Sequence, residues 1–120
     1  MNLSELALKD LILIEPSVHF DDRGYFFETF RLDLLEEAIN KKIIFVQDNE
    51  SKSNRGVLRG LHFQLPPFDQ SKLVRVIKGK VLDVVVDIRK ESHTFGKYVA
   101  VELSDENKFQ LFIPSGFAHG

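Results

Sequence analysis

The sequence predicts an all-β domain of the sandwich or barrel type. From Gly56 onward, short Val-, Ile- and Phe-rich runs alternate with Gly-containing or polar turns, spaced about every 8–12 residues. One helical pattern occurs, early in the chain. It does not alternate with strands, which argues against a doubly wound α/β fold.

The elements follow in order. "LKDLILIEPSVHFDDRGYFFETF" alternates loosely and is broken by Pro16 and by Asp22-Arg23-Gly24, giving strands near 11–15 and 25–30 with a turn between. "RLDLLEEAINKK" changes period. Leu32, Leu35, Ala38 and Ile39 share one helical face and acids precede lysines, which predicts a short amphipathic helix at 31–40. "IIFVQDN" resumes strand character at 43–48, and "ESKSNRG" is a polar loop. The remaining predicted strands are 57–64, 72–78, 80–88, 97–103 and 108–113. Lys78-Gly79 predicts a tight hairpin between two Val-rich runs, and Ser104-Asp105-Glu106-Asn107 predicts another turn. The last stretch, "FQLFIPSGFAHG", reads as a strand, a Pro-Gly turn and a histidine, at a point where a further strand is expected. The expectation is a single domain over 1–120 that lacks its C-terminal part.

Composition bounds the function. The 120 residues suit one domain with one core. No apolar run approaches the roughly 18–20 residues that span a bilayer, and the N-terminus lacks the basic region of a secretory signal. There is no cysteine, which removes disulfides, thiolate nucleophiles and Cys-based zinc sites together. Cytoplasmic location is the default. The 16 basic and 18 acidic residues are intermixed, without the electrostatic footprint of a nucleic-acid-binding domain.

Four histidines are present: His19, His62, His93 and His119. His19 and His93 lie in polar turn segments and read as solvated surface. His62 and His119 sit beside glycines, in "GVLRGLHFQ" and "PSGFAHG". Together they hint at the double-stranded β-helix of the cupins, where a His-x-His pair, a carboxylate and a later Pro-x-Gly-x-x-His hold a metal. Here Gln64 replaces the second His, and Asp69 falls near the carboxylate's place. A neutral amide weakens the ligand set, and no metal is expected.

On a regular strand, Gly60, His62 and Gln64 share one face, with Leu61 and Phe63 on the other, packing side. His62 then faces a ligand cavity, as a general base near neutrality or as a structural histidine bonded to a carbonyl. Gly56 and Gly60 would let the strand turn while keeping it thin beside a bulky ligand. Lys72 is either an edge guard or a cation aimed at a developing oxyanion. Arg23 and Arg59 suit phosphate by bidentate pairing. "QDN" at 47–49 either binds a ligand or ends a strand.

"DDRGYFFETF", "VQDNESKSNRGVLRGLHFQ", "QSKLVRVIKGKVLDVVVDIRKESHTFGKY" and "FIPSGFAHG" occur in this order. In order and spacing they resemble the dTDP-4-dehydrorhamnose 3,5-epimerase family, over nearly the whole chain from about residue 8. The resemblance implies a cupin jelly roll that works without metal or other cofactor. It implies a dTDP-4-keto-6-deoxy sugar as substrate, and a homodimer whose N-terminal segments complete each other's sites. By position, His62 resembles the base, and Lys72 and His119 residues near the sugar and its keto oxygen. Arg23, Glu28, Gln47, Asp48, Asn49 and Arg59 resemble nucleotide-sugar contacts, with Arg23 and Glu28 reaching the partner's ligand. Family members continue further. Their added segment supplies a tyrosine acid and an aspartate that orients the base, and neither Tyr25 nor Tyr98 matches that tyrosine. Asp83 is the candidate here for supporting His62. Epimerisation at one carbon, a non-catalytic nucleotide-sugar module and a metal-dependent dioxygenase are the rivals.

Overall fold

The computed structural model describes residues 1–120. It contains nine strands and one helix. In chain order these are β1 (Asn2–Glu5), β2 (Ile12–Glu15), β3 (Val18–Asp21), β4 (Gly24–Phe27), α1 (Leu32–Ile39), β5 (Lys72–Arg75), β6 (Lys80–Asp87), β7 (Tyr98–Ser104), β8 (Gln110–Ile113) and β9 (Phe117–His119). All pairings are antiparallel. One sheet runs β1-β2-β8-β5, a second runs β7-β6-β9, and β3 and β4 pair only with each other.

β8 organises the layers. All four of its residues are buried, so both of its faces are covered. Leu111 and Ile113 point one way, into a cluster with Leu8, Leu11, Val85, Leu103 and Phe117 that lies between the two sheets. Phe112 points the other way and joins Ile12, Ile14 and the helical Leu35. The period-2 alternation of a strand thus supplies two cores from one segment. The four-stranded sheet is packed by the second sheet on one face and by α1 on the other.

The predicted helix at 31–40 forms as Leu32–Ile39. Asp33 lies in its first turn, where a negative charge complements the exposed N–H groups. Asn40 ends it in the left-handed conformation at φ 53°, and its N–H returns to the carbonyls of Glu36 and Glu37.

Several elements differ from the sequence-based expectation. The Lys78-Gly79 turn does not close a hairpin, because β5 pairs with β8 and β6 pairs with β7 and β9. The turn carries the chain from one sheet to the other. The Ser104–Asn107 turn does the same between β7 and β8. Such crossings let consecutive strands alternate between layers, a feature of jelly rolls. β5 ends at Arg75 rather than at 78, and β4 covers Gly24–Phe27 rather than 25–30. β1, β3 and β9 form where no strand was expected.

The strands expected at 43–48 and 57–64 are absent. Strand character in a sequence becomes a strand only where a neighbour supplies the hydrogen bonds. In 57–64 one bridge forms, between His62 and His119. Gly56 and Gly60 take positive φ, 83° and 111°, which breaks the extended backbone. Leu61 and Phe63, expected on the packing side, are about half exposed, at 45% and 53%.

Candidate active site

His62 and His119 stand directly opposite each other across an antiparallel bridge. The His62 N–H donates to the His119 carbonyl at 2.9 Å, and the His119 N–H donates back to the His62 carbonyl at 3.1 Å. Residues so paired project to the same face, with Cβ atoms roughly 5 Å apart. Both imidazoles accordingly line one cavity, together with Gln64, Gln70 and Lys72. Ile113, Gly116, Phe117 and Phe63 complete its wall. Lys72 opens β5 and is paired with Ile113 of the central strand, so its position is set by the best-buried element of the fold.

The close bridge depends on two glycines meeting backbone to backbone. A Cβ on Gly120 would come within 2.2 Å of the Arg59 carbonyl oxygen, and one on Gly60 within 2.9 Å of the Gly120 Cα. Gly60 has to be thin because the 119–120 segment runs against it. Gly120 itself pairs with Val84, donating to its carbonyl at 3.1 Å and accepting from its N–H at 2.8 Å.

Asp83 supports His119, not His62. Its Oδ1 lies 3.2 Å from Nδ1 of His119, and the carboxylate is 4% exposed. The reason is register. Asp83 lies on β6, whose partner β9 presents His119, while His62 lies one chain further out. A carboxylate only accepts, so Nδ1 carries the proton and Nε2 of neutral His119 is an acceptor free for other contacts.

A second acid of β6, Asp87, is fully buried. It accepts hydrogen bonds from the Arg89 guanidinium and N–H and from the Ser92 and Thr94 hydroxyls. Burial alone would push its carboxyl up. The bonds from Arg89, Ser92 and Thr94 outweigh that and hold it well below the ordinary 3.8. Arg89 also reaches Asp10 at 3.0 Å and the Lys9 carbonyl at 3.1 Å, and lies 4.5 Å over the Phe117 ring. The network therefore ties the N-terminal turn to β9 and thus to His119. A valine-rich run ending in an acid was its only sequence trace.

The other predicted residues do not line this cavity. Arg59 is exposed, with its guanidinium bonded to Ser53 Oγ at 2.7 Å and the Lys52 carbonyl at 3.0 Å. Arg23 occupies the β3–β4 turn and pairs with Asp21 at 2.6 Å. Glu28 follows β4 and lies 3.5 Å from Arg31. Gln47, Asp48 and Asn49 are exposed, with a Gln47 to Asn49 side-chain bond at 3.4 Å. Gln64 lines the cavity beside both histidines, and Asp69 does not. His19 and His93 are exposed, His19 on β3 rather than in a turn. Gln70 and Phe117 were not anticipated.

The dTDP-4-dehydrorhamnose 3,5-epimerase family model matches residues 5–120. The chain belongs to this family. It is 58% identical to the dTDP-4-dehydrorhamnose 3,5-epimerase of Shigella flexneri, over all of this chain and 66% of that protein. The crystal structure of the Elizabethkingia anophelis enzyme of the same name superposes with a TM-score of 0.93 at 51% identity, covering 99% of this chain and 65% of that one. A Legionella pneumophila epimerase, solved in complex with dTDP-4-keto-L-rhamnose, gives a TM-score of 0.91 at 50% identity, covering 98% of this chain and 62% of that one. The fold is thus the cupin jelly roll of these epimerases. The chain spans slightly less than two thirds of the length of these relatives.

Proposed function

We propose that this chain carries the base half of a cofactor-independent epimerase. Its substrate would be dTDP-4-dehydro-6-deoxy-D-glucose, inverted at C3 and C5 to dTDP-4-dehydro-L-rhamnose. The supporting observation is the convergence of His62, His119 and Lys72 on one cavity wall. C3 and C5 of such a sugar are acidified by the ketone between them. Neutral His62 takes one proton and becomes imidazolium. The C–H electron pair moves into the enolate, leaving negative charge on O4. Lys72 offsets that charge, a role whose loss typically costs about 10²–10³ in rate. His119, held by Asp83, has its Nε2 available to the sugar. The acid that returns a proton to the opposite face is expected from the part of the relatives' length that this chain does not span.

Arg59 and the 47–49 segment would hold the nucleotide. Arg23, at the tip of the β3–β4 hairpin, and Glu28, just past its base, would reach the ligand of a second copy in a homodimer. A cytoplasmic role in dTDP-L-rhamnose synthesis for surface polysaccharide fits this reading. No helix is long and apolar enough to cross a membrane.

The test is solvent exchange. With the 4-keto nucleotide sugar in deuterated water, NMR should show deuterium entering C3 and C5, and His62→Asn should slow it by about 10²–10⁴. Exchange at one carbon identifies a mono-epimerase. Bound sugar with no exchange at either carbon identifies a binding module and overturns the catalytic reading.

A further inference from the structure

The β3–β4 hairpin is four residues a side and pairs with no other strand. A two-stranded ribbon of that size is marginal by itself, so whatever holds it decides where its tip points. Beneath it lies a cavity of about 100 Å³ lined by Tyr25 and Phe27 of the hairpin and by Arg75, Val76, Ile77, Asp105 and Lys108. The hairpin is therefore not seated on a filled apolar interface. Discrete contacts hold it. Lys108 Nζ lies 4.1 Å from the Tyr25 ring centroid and 5.5 Å from that of Phe27. Just beyond the hairpin, Gln110 Nε2 donates to the Thr29 carbonyl at 2.6 Å, with Gln110 only 2% exposed.

Both contacts come from one preformed unit. Asn107 Oδ1 accepts from the N–H groups of Ser104 and Phe109, and Ser104 Oγ accepts from the Asn107 N–H. Lys108 follows in the left-handed region at φ 57°, with its ammonium also bonded to the Asp105 carbonyl. The ammonium is thereby held by its own turn as well as by the aromatic rings. Tyr25 and Phe27 share one face of β4, and Phe26 on the opposite face is 73% exposed.

We infer that Lys108 is a positioning residue, a latch that sets the angle of the hairpin and so presents its tip, with Arg23, to a second copy of the chain. This rests on the proposed role of the hairpin in nucleotide binding. Cation–aromatic contacts of this kind support effects of about three- to tenfold. Lys108→Met keeps the length and removes the charge, and Lys108→Arg keeps the charge.

The experiment measures dTDP affinity by calorimetry and backbone amide exchange over residues 18–27. Lys108→Met should weaken dTDP about three- to tenfold and speed exchange in the hairpin alone, while Lys108→Arg stays near the parent chain. Unchanged hairpin exchange in Lys108→Met overturns the latch, as does an equal loss in Lys108→Arg. If Arg23→Ala leaves dTDP affinity untouched, the hairpin's role in binding falls. If Arg23→Ala weakens dTDP and Lys108→Met does not, that role stands and the latch falls.

Discussion

Strand β6 carries two buried carboxylates on the same face, and they are held in opposite ways. Asp87 is saturated: a guanidinium, a backbone N–H and two hydroxyls converge on it. Asp83 has a single side-chain partner, one imidazole nitrogen at 3.2 Å. Both lie inward with Val85 between them. Saturation makes Asp87 a structural rivet, because nothing further can be asked of its oxygens. The single bond of Asp83 orients a residue that itself faces a cavity. Burial alone does not separate the two roles, whereas the number and kind of donors does.

The largest effect is expected at Asp87. Asp87→Asn strips the charge facing a partly buried guanidinium and should cost about 3–5 kcal/mol in urea unfolding. The same site predicts an acid limb. A carboxyl whose folded pKa is depressed contributes its full stability above the unfolded value of about 4, and that contribution is lost as pH falls toward the folded pKa. Denaturation midpoints should therefore drop below about pH 4, and Asp87→Asn should flatten that limb.

A smaller effect is expected at Gly116. Its φ is 92°, and an added Cβ would stand 2.6 Å from Cγ of Arg89. Gly116→Ala should destabilise by about 1–3 kcal/mol and displace Arg89 from the Phe117 ring. Loss of thermal stability with the His119 imidazole NMR signals unmoved would show that the network stops short of the site.

The smallest stability effect is expected at Asp83. Asp83→Ala should cost about 1–2 kcal/mol, yet it should change the site most specifically. Without an acceptor for Nδ1–H, His119 should populate both tautomers, read from its imidazole ¹⁵N shifts. A single retained tautomer would show that Asp83 does not orient it.

How far these features could be read beforehand varied by element. The helix was legible because Leu35 and Ile39 encode its packed face locally, although Leu32 and Ala38, assigned to the same face, are exposed. His62, Lys72 and His119 were legible through the motifs "RGLHFQ", "KLVRV" and "GFAHG". The wrong partner for Asp83 was not correctable from sequence, since alternation tells which residues share a face but not which strand lies alongside. Likewise the segment from 57 to 64 has strand-like residues, but it acquires only the bridge that β9 offers it.

The all-β class, the helix and the family could be read from the amino-acid sequence alone. These depend on local periodicity, residue type and motif order. It took the folded arrangement to show that the Lys78-Gly79 turn crosses between sheets, that Asp83 serves His119, that Asp87 is a saturated rivet and that Lys108 contacts the hairpin. The sheet crossing, the Asp83–His119 bond and the Lys108 contact join segments far apart in the chain, and the donors to Asp87, though within seven residues of it, converge only because the turn after β6 folds back; hydrogen-bond register and packing, which set such contacts, exist only once the strands have found their neighbours.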